Sequence, residues 1–94
     1  MAVVVYSSRA LTEIERLADF LLEQDPQAAV YTVSILMDAI AMLAQNPLVG
    51  RIVEQGLREL VISRGRSGYV ALYRYDAGTD QVFILALRHQ RELG

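Results

Sequence analysis

The chain has 94 residues, a formal net charge of −2, 53% hydrophobic residues and no cysteine. A chain of this size forms one domain around a single core, and its apolar content excludes a disordered protein. The lack of cysteine excludes disulfides and thiolate metal sites, and one histidine is too few for a histidine-based metal cluster. We therefore expect a single domain over residues 1–94 with no metal and no cofactor.

The ends and the charge pattern indicate where the protein works. The N-terminus lacks the basic start and long apolar run of a signal peptide, and we identify no apolar stretch of about 18 residues that would span a membrane. Residues 1–47 carry two arginines against six acidic residues (−4), whereas residues 48–94 carry seven arginines against five (+2). We expect a cytoplasmic protein without membrane contact, whose arginines cluster in the second half.

The first half of the chain predicts one strand and two helices. The β-branched run Val3–Tyr6 is typical of a strand. Apolar residues then recur at helical spacing over residues 9–24 and 26–45. The serine pair at 7–8 and Asp25 are suited to cap the two helices, and Pro26 favours a first turn. Since almost nothing joins the helices, we expect an antiparallel hairpin.

The second half predicts a connecting loop over residues 47–56 and then three strands. The strands cover residues 57–63, 69–75 and 81–89, and turns rich in glycine and aspartate separate them. The fold class is α+β, in the order β-α-α-β-β-β: an N-terminal strand, then an antiparallel two-helix hairpin that packs on one face of a C-terminal antiparallel sheet. We expect the contact to bury Leu17, Leu21, Leu36 and Ile40.

The last strand is apolar on both of its faces. The two alternating sets are Val82, Ile84 and Ala86 on one side, and Phe83, Leu85 and Leu87 on the other. A single layer of helices would leave one face of an antiparallel sheet polar. Two interpretations stay open: this strand is central and covered within the fold, or a partner covers its second face.

Several polar residues of the strands have a structural and a functional interpretation. Arg74 and Arg88 have apolar neighbours on strands, which is a costly place for a charge unless it is paired or used. The structural interpretation of Arg58 is a solvated charge at the end of a strand. The structural interpretation of His89 is a side chain that makes an ordinary hydrogen bond to the backbone. The tyrosines at 69, 73 and 75 share one parity, which favours a packing stripe. The turn arginines Arg64 and Arg66 are suited to a solvated turn.

Nearly the whole chain resembles the RelE/ParE superfamily of bacterial toxin–antitoxin toxins. The order of elements carries this resemblance, together with Asn46-Pro47-Leu48-Val49-Gly50-Arg51, the segments at 57–60 and 69–74, and the ending at 85–92. The resemblance implies the toxin of a type II system, of the kind also called plasmid stabilisation proteins. It also implies a cognate antitoxin whose C-terminal segment wraps the toxin, with operator DNA bound only through that antitoxin.

The superfamily has two mechanisms, and the resemblance implies one of them. RelE-like members cleave messenger RNA in the ribosomal A site, whereas ParE-like members poison DNA gyrase. This chain has Val70 and Gln90 where RelE carries arginines, and it ends at Gly94 without RelE's C-terminal tyrosine. Because the ending Arg88-His89-Gln90-Arg91 looks like the ParE branch, we expect a gyrase inhibitor that performs no chemistry.

The resemblance and the strand pattern give three sets of candidate site residues. The expected gyrase contacts are Arg74, Arg88, His89 and Arg91. The expected antitoxin contacts are Phe83, Leu85 and Leu87. For the alternative, a ribosome-dependent RNA-cleaving enzyme, the candidate catalytic residues are Arg58, Arg74, Arg88 and His89. A further alternative is an inactive toxin-fold module that only binds antitoxin and autoregulates its operon.

Overall fold

The computed structural model describes residues 1–64 and 67–89, without the side chains of residues 63, 64 and 67. The elements are β1 (Val3–Tyr6), α1 (Ser8–Gln24), α2 (Pro26–Ala41), a 3-10 turn (Met42–Ala44), β2 (Arg51–Glu54), β3 (Leu57–Arg64), β4 (Ser67–Asp76) and β5 (Gln81–His89). The predicted α+β class, with one strand, a helical hairpin and C-terminal strands, is confirmed. Four positions from the sequence analysis lie outside the described residues: Arg66, Gln90, Arg91 and Gly94. The side chain of Arg64 does as well.

Both helices begin at the predicted caps. The Ser7 hydroxyl accepts a hydrogen bond from the Ala10 N–H at 3.0 Å. The Asp25 carboxylate accepts from the N–H groups of Gln27 and Ala28 at 3.1 and 3.3 Å. These bonds satisfy backbone donors that have no partner inside the first turn of a helix. Pro26 follows Asp25 at the first turn of α2, so the chain reverses direction within a single residue.

The five strands form one sheet in the order β1-β5-β4-β3-β2. β1 pairs parallel with β5, and all other pairs are antiparallel. β2 lies within the predicted connecting loop, so the expectation of a loop throughout residues 47–56 is wrong. All four residues of β2 are exposed, and a strand without a buried face has no alternation of apolar and polar residues to reveal it. Gly56, with φ of 76°, closes its hairpin to β3.

The core lies between the helical hairpin and one face of the sheet. Leu36 and Ile40 are fully buried as predicted, whereas Leu17 and Leu21 are half-buried. α1 packs on α2 and on β5, at one margin of the sheet, so its apolar face is only partly covered. The predicted tyrosine stripe is confirmed: Tyr69 and Tyr73 belong to the core and Tyr75 packs against it.

A β-bulge in β5 changes which side chains face the helices. Tyr73 is opposite Ile84 and Leu72 is opposite Ala86, so Leu85 has no partner in β4. An extra residue in one strand shifts the alternation by one position. Leu87 therefore joins the core beneath the helices, and the prediction that it shares a face with Phe83 and Leu85 is wrong.

The second helix is more apolar than its packing in this domain requires. α2 and the 3-10 turn form a stretch, Pro26–Ala44, of 19 residues with a mean hydropathy of 1.6, long and apolar enough to cross a membrane. By the criteria of length and composition, the expectation that the chain contains no such stretch is therefore wrong. Leu36, Ile40 and Leu43 are its fully buried residues in the sheet-facing core, whereas Val30, Tyr31 and Met42 are exposed on its outer side.

Candidate functional site

The strand register places the four candidate catalytic residues on two opposite faces of the sheet. Arg58 is opposite the buried Tyr73, and His89 is opposite Tyr69, so both follow the face that packs against the helices. Arg74 is opposite Phe83, and Arg88 is opposite Val70. Phe83, Val70 and both of these arginines belong to the outer face. The candidate set is therefore divided by the sheet.

Arg58 is a structural residue of the loop before β2. Its guanidinium donates hydrogen bonds to the carbonyl oxygens of Leu48 at 3.0 Å and Gly50 at 2.9 Å. The Tyr73 hydroxyl holds the same loop, because it donates to the Pro47 carbonyl and accepts from the Gly50 N–H, both at 2.8 Å. Both side chains therefore have a structural role, which is to hold this loop against the sheet with four hydrogen bonds.

Gly50 allows this close approach of loop and sheet. A Cβ atom at Gly50 would lie 2.5 Å from the Tyr73 hydroxyl and 2.8 Å from the Glu59 carbonyl oxygen. Both distances are too short for any side chain, and one of the two atoms belongs to the backbone. The Asn46–Arg51 segment identified in the sequence is thus a loop that fits against a buried tyrosine.

The outer face of the sheet combines apolar side chains with two arginines. Phe83 and Leu85 are half-buried there and line an open cavity of about 720 Å³ together with Arg74. Neither Arg74 nor Arg88 makes an ion pair or hydrogen bond within the part of the chain that the structure describes. Among the described residues, this face therefore combines arginines that have no partner with partly exposed apolar side chains.

Three apolar residues of the outer face were not assigned to a binding site from the sequence: Val61, which is 50% exposed, the half-buried Leu72, and Val70, which is only 6% exposed. They alternate with the core residues of β3 and β4, so the alternation itself contained the signal. The same face carries an ion pair near the edge of the sheet: the Glu59 carboxylate is 2.7 Å from the guanidinium of Arg51 in β2. The apolar band of the outer face therefore extends across three strands.

His89 lies on the opposite side of the sheet, in a cleft beside α1. Its ring packs edge-on against Tyr69, with centroids 5.2 Å apart and an interplanar angle of 89°. The cleft has a volume of about 430 Å³, and its lining includes Arg88 of β5 as well as Glu13, Arg16 and Phe20 of α1. The Glu13 carboxylate accepts a hydrogen bond from the Leu87 N–H at 3.0 Å, and Arg9 is 3.6 Å away from it.

Two tyrosines have raised pKa values. The hydrogen bond from the Tyr75 hydroxyl to the Asp80 carboxylate raises the pKa of Tyr75 above its ordinary value of 10.0. Burial raises the pKa of Tyr6. Among the described residues no group of three or more histidine and carboxylate side chains is placed to hold a metal ion.

Comparisons with known proteins extend over almost the full chain. A family profile for the ParE toxin of the type II toxin–antitoxin system, parDE, matches residues 4–94. Toxin RelE3 of Caulobacter vibrioides is 35% identical over 92 residues, which cover 98% of each chain. Two solved structures have the same fold. The chromosomal ParDE system of P. aeruginosa matches with a TM-score of 0.76 at 20% identity, over 93% of this chain and 94% of that one. The intact E. coli RelBE toxin–antitoxin complex matches with a TM-score of 0.64 at 17% identity, also over 93% of this chain and 94% of that one.

Proposed function

Because the chain belongs to the ParE toxin family of type II toxin–antitoxin systems, we propose that it inhibits DNA gyrase in the cytoplasm by binding it. In this proposal the protein performs no chemistry. A cognate antitoxin neutralises it and supplies all contacts with operator DNA. The proposal assigns Arg74 and Arg88 to the gyrase contact, together with the apolar side chains between them.

The separation of the candidate catalytic residues is the observation that carries this proposal. RNA cleavage needs a general base, a general acid and cations around a single phosphate. Here Arg58 is bonded to its own loop. His89 is on the face of the sheet opposite to that of Arg74, in a cleft that Arg88 also lines. Arg74 is four residues along β4 from Val70, the residue opposite Arg88, which corresponds to about 13 Å. One phosphate cannot contact all four groups.

The outer face instead has the features of a protein contact. Phe83 and Leu85 supply apolar surface between the two arginines, and arginine and aromatic residues are enriched at the centre of protein interfaces. A guanidinium forms paired hydrogen bonds with carboxylates. An acidic surface of the target, with an apolar patch between its carboxylates, would fit this band.

Two assays on the purified protein test the proposal. We expect inhibition of supercoiling by gyrase, and no cleavage of messenger RNA on programmed ribosomes. Arg74→Gln and Arg88→Gln should each weaken inhibition by about 10-fold or more, as loss of a central interface arginine does. Arg51→Gln is the matched control, because this exposed arginine already pairs with Glu59. Ribosome-dependent cleavage that disappears in His89→Ala, with gyrase unaffected, would refute the proposal.

A second candidate function is ribosome-dependent cleavage of messenger RNA. The observation that favours it is the 35% identity to Toxin RelE3, together with the position of His89 beside Arg16 in one cleft. In that case His89 would transfer the proton and Arg16 would contact the phosphate. The third candidate, an inactive module that binds only antitoxin, is distinguished by growth: expression without antitoxin would then cause no arrest.

The antitoxin part of the proposal is supported by the solved relatives, which are a ParDE system and a RelBE toxin–antitoxin complex. In this chain the apolar residues Val30, Tyr31 and Met42 of the helical layer are 59% to 69% exposed. A partner that binds only the folded state raises its stability in proportion to the logarithm of partner concentration. We therefore expect the melting temperature to rise on addition of antitoxin, and an unchanged value at saturating antitoxin would contradict this.

A further inference from the structure

The last strand has a neighbour on its β1 side along only half of its length. β1 pairs with Gln81, Val82, Phe83 and Ile84, and the chain then leaves the sheet to start α1. No other described strand pairs with β5 on this side beyond Ile84. β5 is second in the strand order, but its C-terminal half, from Leu85 to His89, has no strand beside it on the β1 side among the described residues. This half is therefore an edge of the sheet.

Two side chains from the start of α1 cover this edge in place of a strand. The Ser7 hydroxyl donates to the Leu85 carbonyl at 3.1 Å. The Glu13 carboxylate accepts from the Leu87 N–H at 3.0 Å. The Leu87 N–H therefore points away from β4, towards the position that a neighbouring strand would occupy. The Glu13 oxygen takes the place of the carbonyl that such a strand would present.

A cleft of about 430 Å³ lies directly beside this edge. Its inner surface includes Tyr69 and Leu87, which are 6% and 5% exposed, and the half-buried Leu17. Phe20 stands at its rim and is 58% exposed. An open strand edge next to an apolar pocket is the arrangement by which proteins bind an extended peptide, with main-chain bonds at the edge and a side chain in the pocket.

The charges around the cleft indicate what kind of segment fits. Arg16 makes no ion pair within the described part of the chain. Among the residues that the structure describes, Arg9 is paired only with Glu13, at 3.6 Å. If Glu13 moves away from Leu87, both guanidinium groups can face the incoming segment. A segment with a carboxylate near a large apolar side chain would then satisfy the cleft and its rim.

We propose that the edge from Leu85 to Leu87 binds an extended, acidic and apolar segment of the cognate antitoxin, and that Glu13 is its displaceable cap. This inference rests on the proposed function, which supplies the antitoxin. The incoming carbonyl takes the Leu87 N–H from Glu13, and a large apolar side chain enters the cleft above Tyr69. The freed Arg9 and the neighbouring Arg16 bind the carboxylates of the segment.

The cap predicts that its removal strengthens binding. Wild-type protein must give up the bond between Glu13 and Leu87 before the segment binds. The usual net strength of a hydrogen bond to a charged group corresponds to roughly a 10- to 150-fold change in affinity. Glu13→Ala should therefore bind the antitoxin more tightly by this factor. Glu13→Gln keeps a neutral acceptor oxygen, which makes a weaker bond than the carboxylate, and should bind with an affinity between those of wild type and Glu13→Ala.

The test uses this chain and the product of the adjacent open reading frame, co-expressed and also purified separately. Amide hydrogen exchange is measured at Leu87 in the free protein and in the complex, and affinity is measured by calorimetry. We expect Leu87 to exchange at least 10-fold more slowly in the wild-type complex than in free Glu13→Ala protein. Glu23→Ala is the matched control, because this exposed carboxylate on the same helix makes no ion pair or hydrogen bond with described residues.

Each outcome is decisive. If the complex forms but Leu87 in Glu13→Ala protein exchanges equally fast with and without antitoxin, the edge is not the docking site and the inference is overturned, while the assignment as a toxin stands. An affinity of Glu13→Ala equal to that of Glu23→Ala overturns the role of the cap. If the adjacent product does not bind at all, both the proposed antitoxin partnership and this inference fail.

Discussion

The buried hydroxyl of Tyr73 allows a sharp test of how the loop before β2 is held. Tyr73→Phe removes only the oxygen that donates to the Pro47 carbonyl and accepts from the Gly50 N–H, each at 2.8 Å. Tyr73 is 0% exposed, so the ring keeps all its packing in the core. The substitution therefore isolates the two hydrogen bonds.

The expected loss follows from what each backbone group can find instead. The Gly50 N–H is buried, and an unsatisfied buried donor costs about 1–3 kcal/mol. The Pro47 carbonyl is only partly buried, so water can replace its bond and the additional loss is at most about 1 kcal/mol. We expect a decrease of about 1–4 kcal/mol in the free energy of unfolding, a large part of the ~5–15 kcal/mol typical of a domain.

Urea denaturation followed by circular dichroism measures this loss from the midpoint at constant slope. Tyr75→Phe is the matched control, because it removes the same atom from a hydroxyl that bonds to the exposed Asp80 carboxylate at 2.7 Å. We expect less than about 1 kcal/mol for the control. Equal losses in the two variants would show that the loop rearranges to satisfy Gly50, and the reasoning would be refuted.

Three further predictions concern the core, a helix cap and a turn. Leu36→Ala should lower the free energy of unfolding by about 2–5 kcal/mol, since Leu36 is fully buried; a loss below about 1 kcal/mol in urea would contradict its place in the core. Asp25→Ala should cost about 1 kcal/mol, whereas Asp25→Asn, which keeps an acceptor oxygen, should cost less in the same assay. Asp80→Asn should lower the pKa of Tyr75 towards 10.0 in an absorbance titration. In the wild type the stabilising effect of this contact is present below pH 10.0 and is lost as the pH rises through the raised pKa of Tyr75. If Asp80→Asn leaves the titration of Tyr75 unchanged, Asp80 is not the cause of the raised pKa.

The sequence by itself determined the helical hairpin and the strands of the core. The predicted bounds of β1 and β5 agree with the structure, and those of both helices differ by only a few residues. Helix caps such as Asp25 and apolar residues at helical spacing are local signals. They can be recognised in the sequence without knowledge of the tertiary structure. The family resemblance rests on the same local segments, and the family match over residues 4–94 confirms it.

Tertiary structure alone decided which side of the sheet each candidate residue occupies. The bulge at Leu85 moved Leu87 into the core, and strict alternation along β5 could not reveal it. The register separated Arg74 from His89, and the hydrogen bonds of Arg58 gave it a structural role. The edge covered by Glu13 depends on residues 74 positions apart in sequence. Such contacts follow from the packing of whole elements, because no single segment contains the information that brings them together.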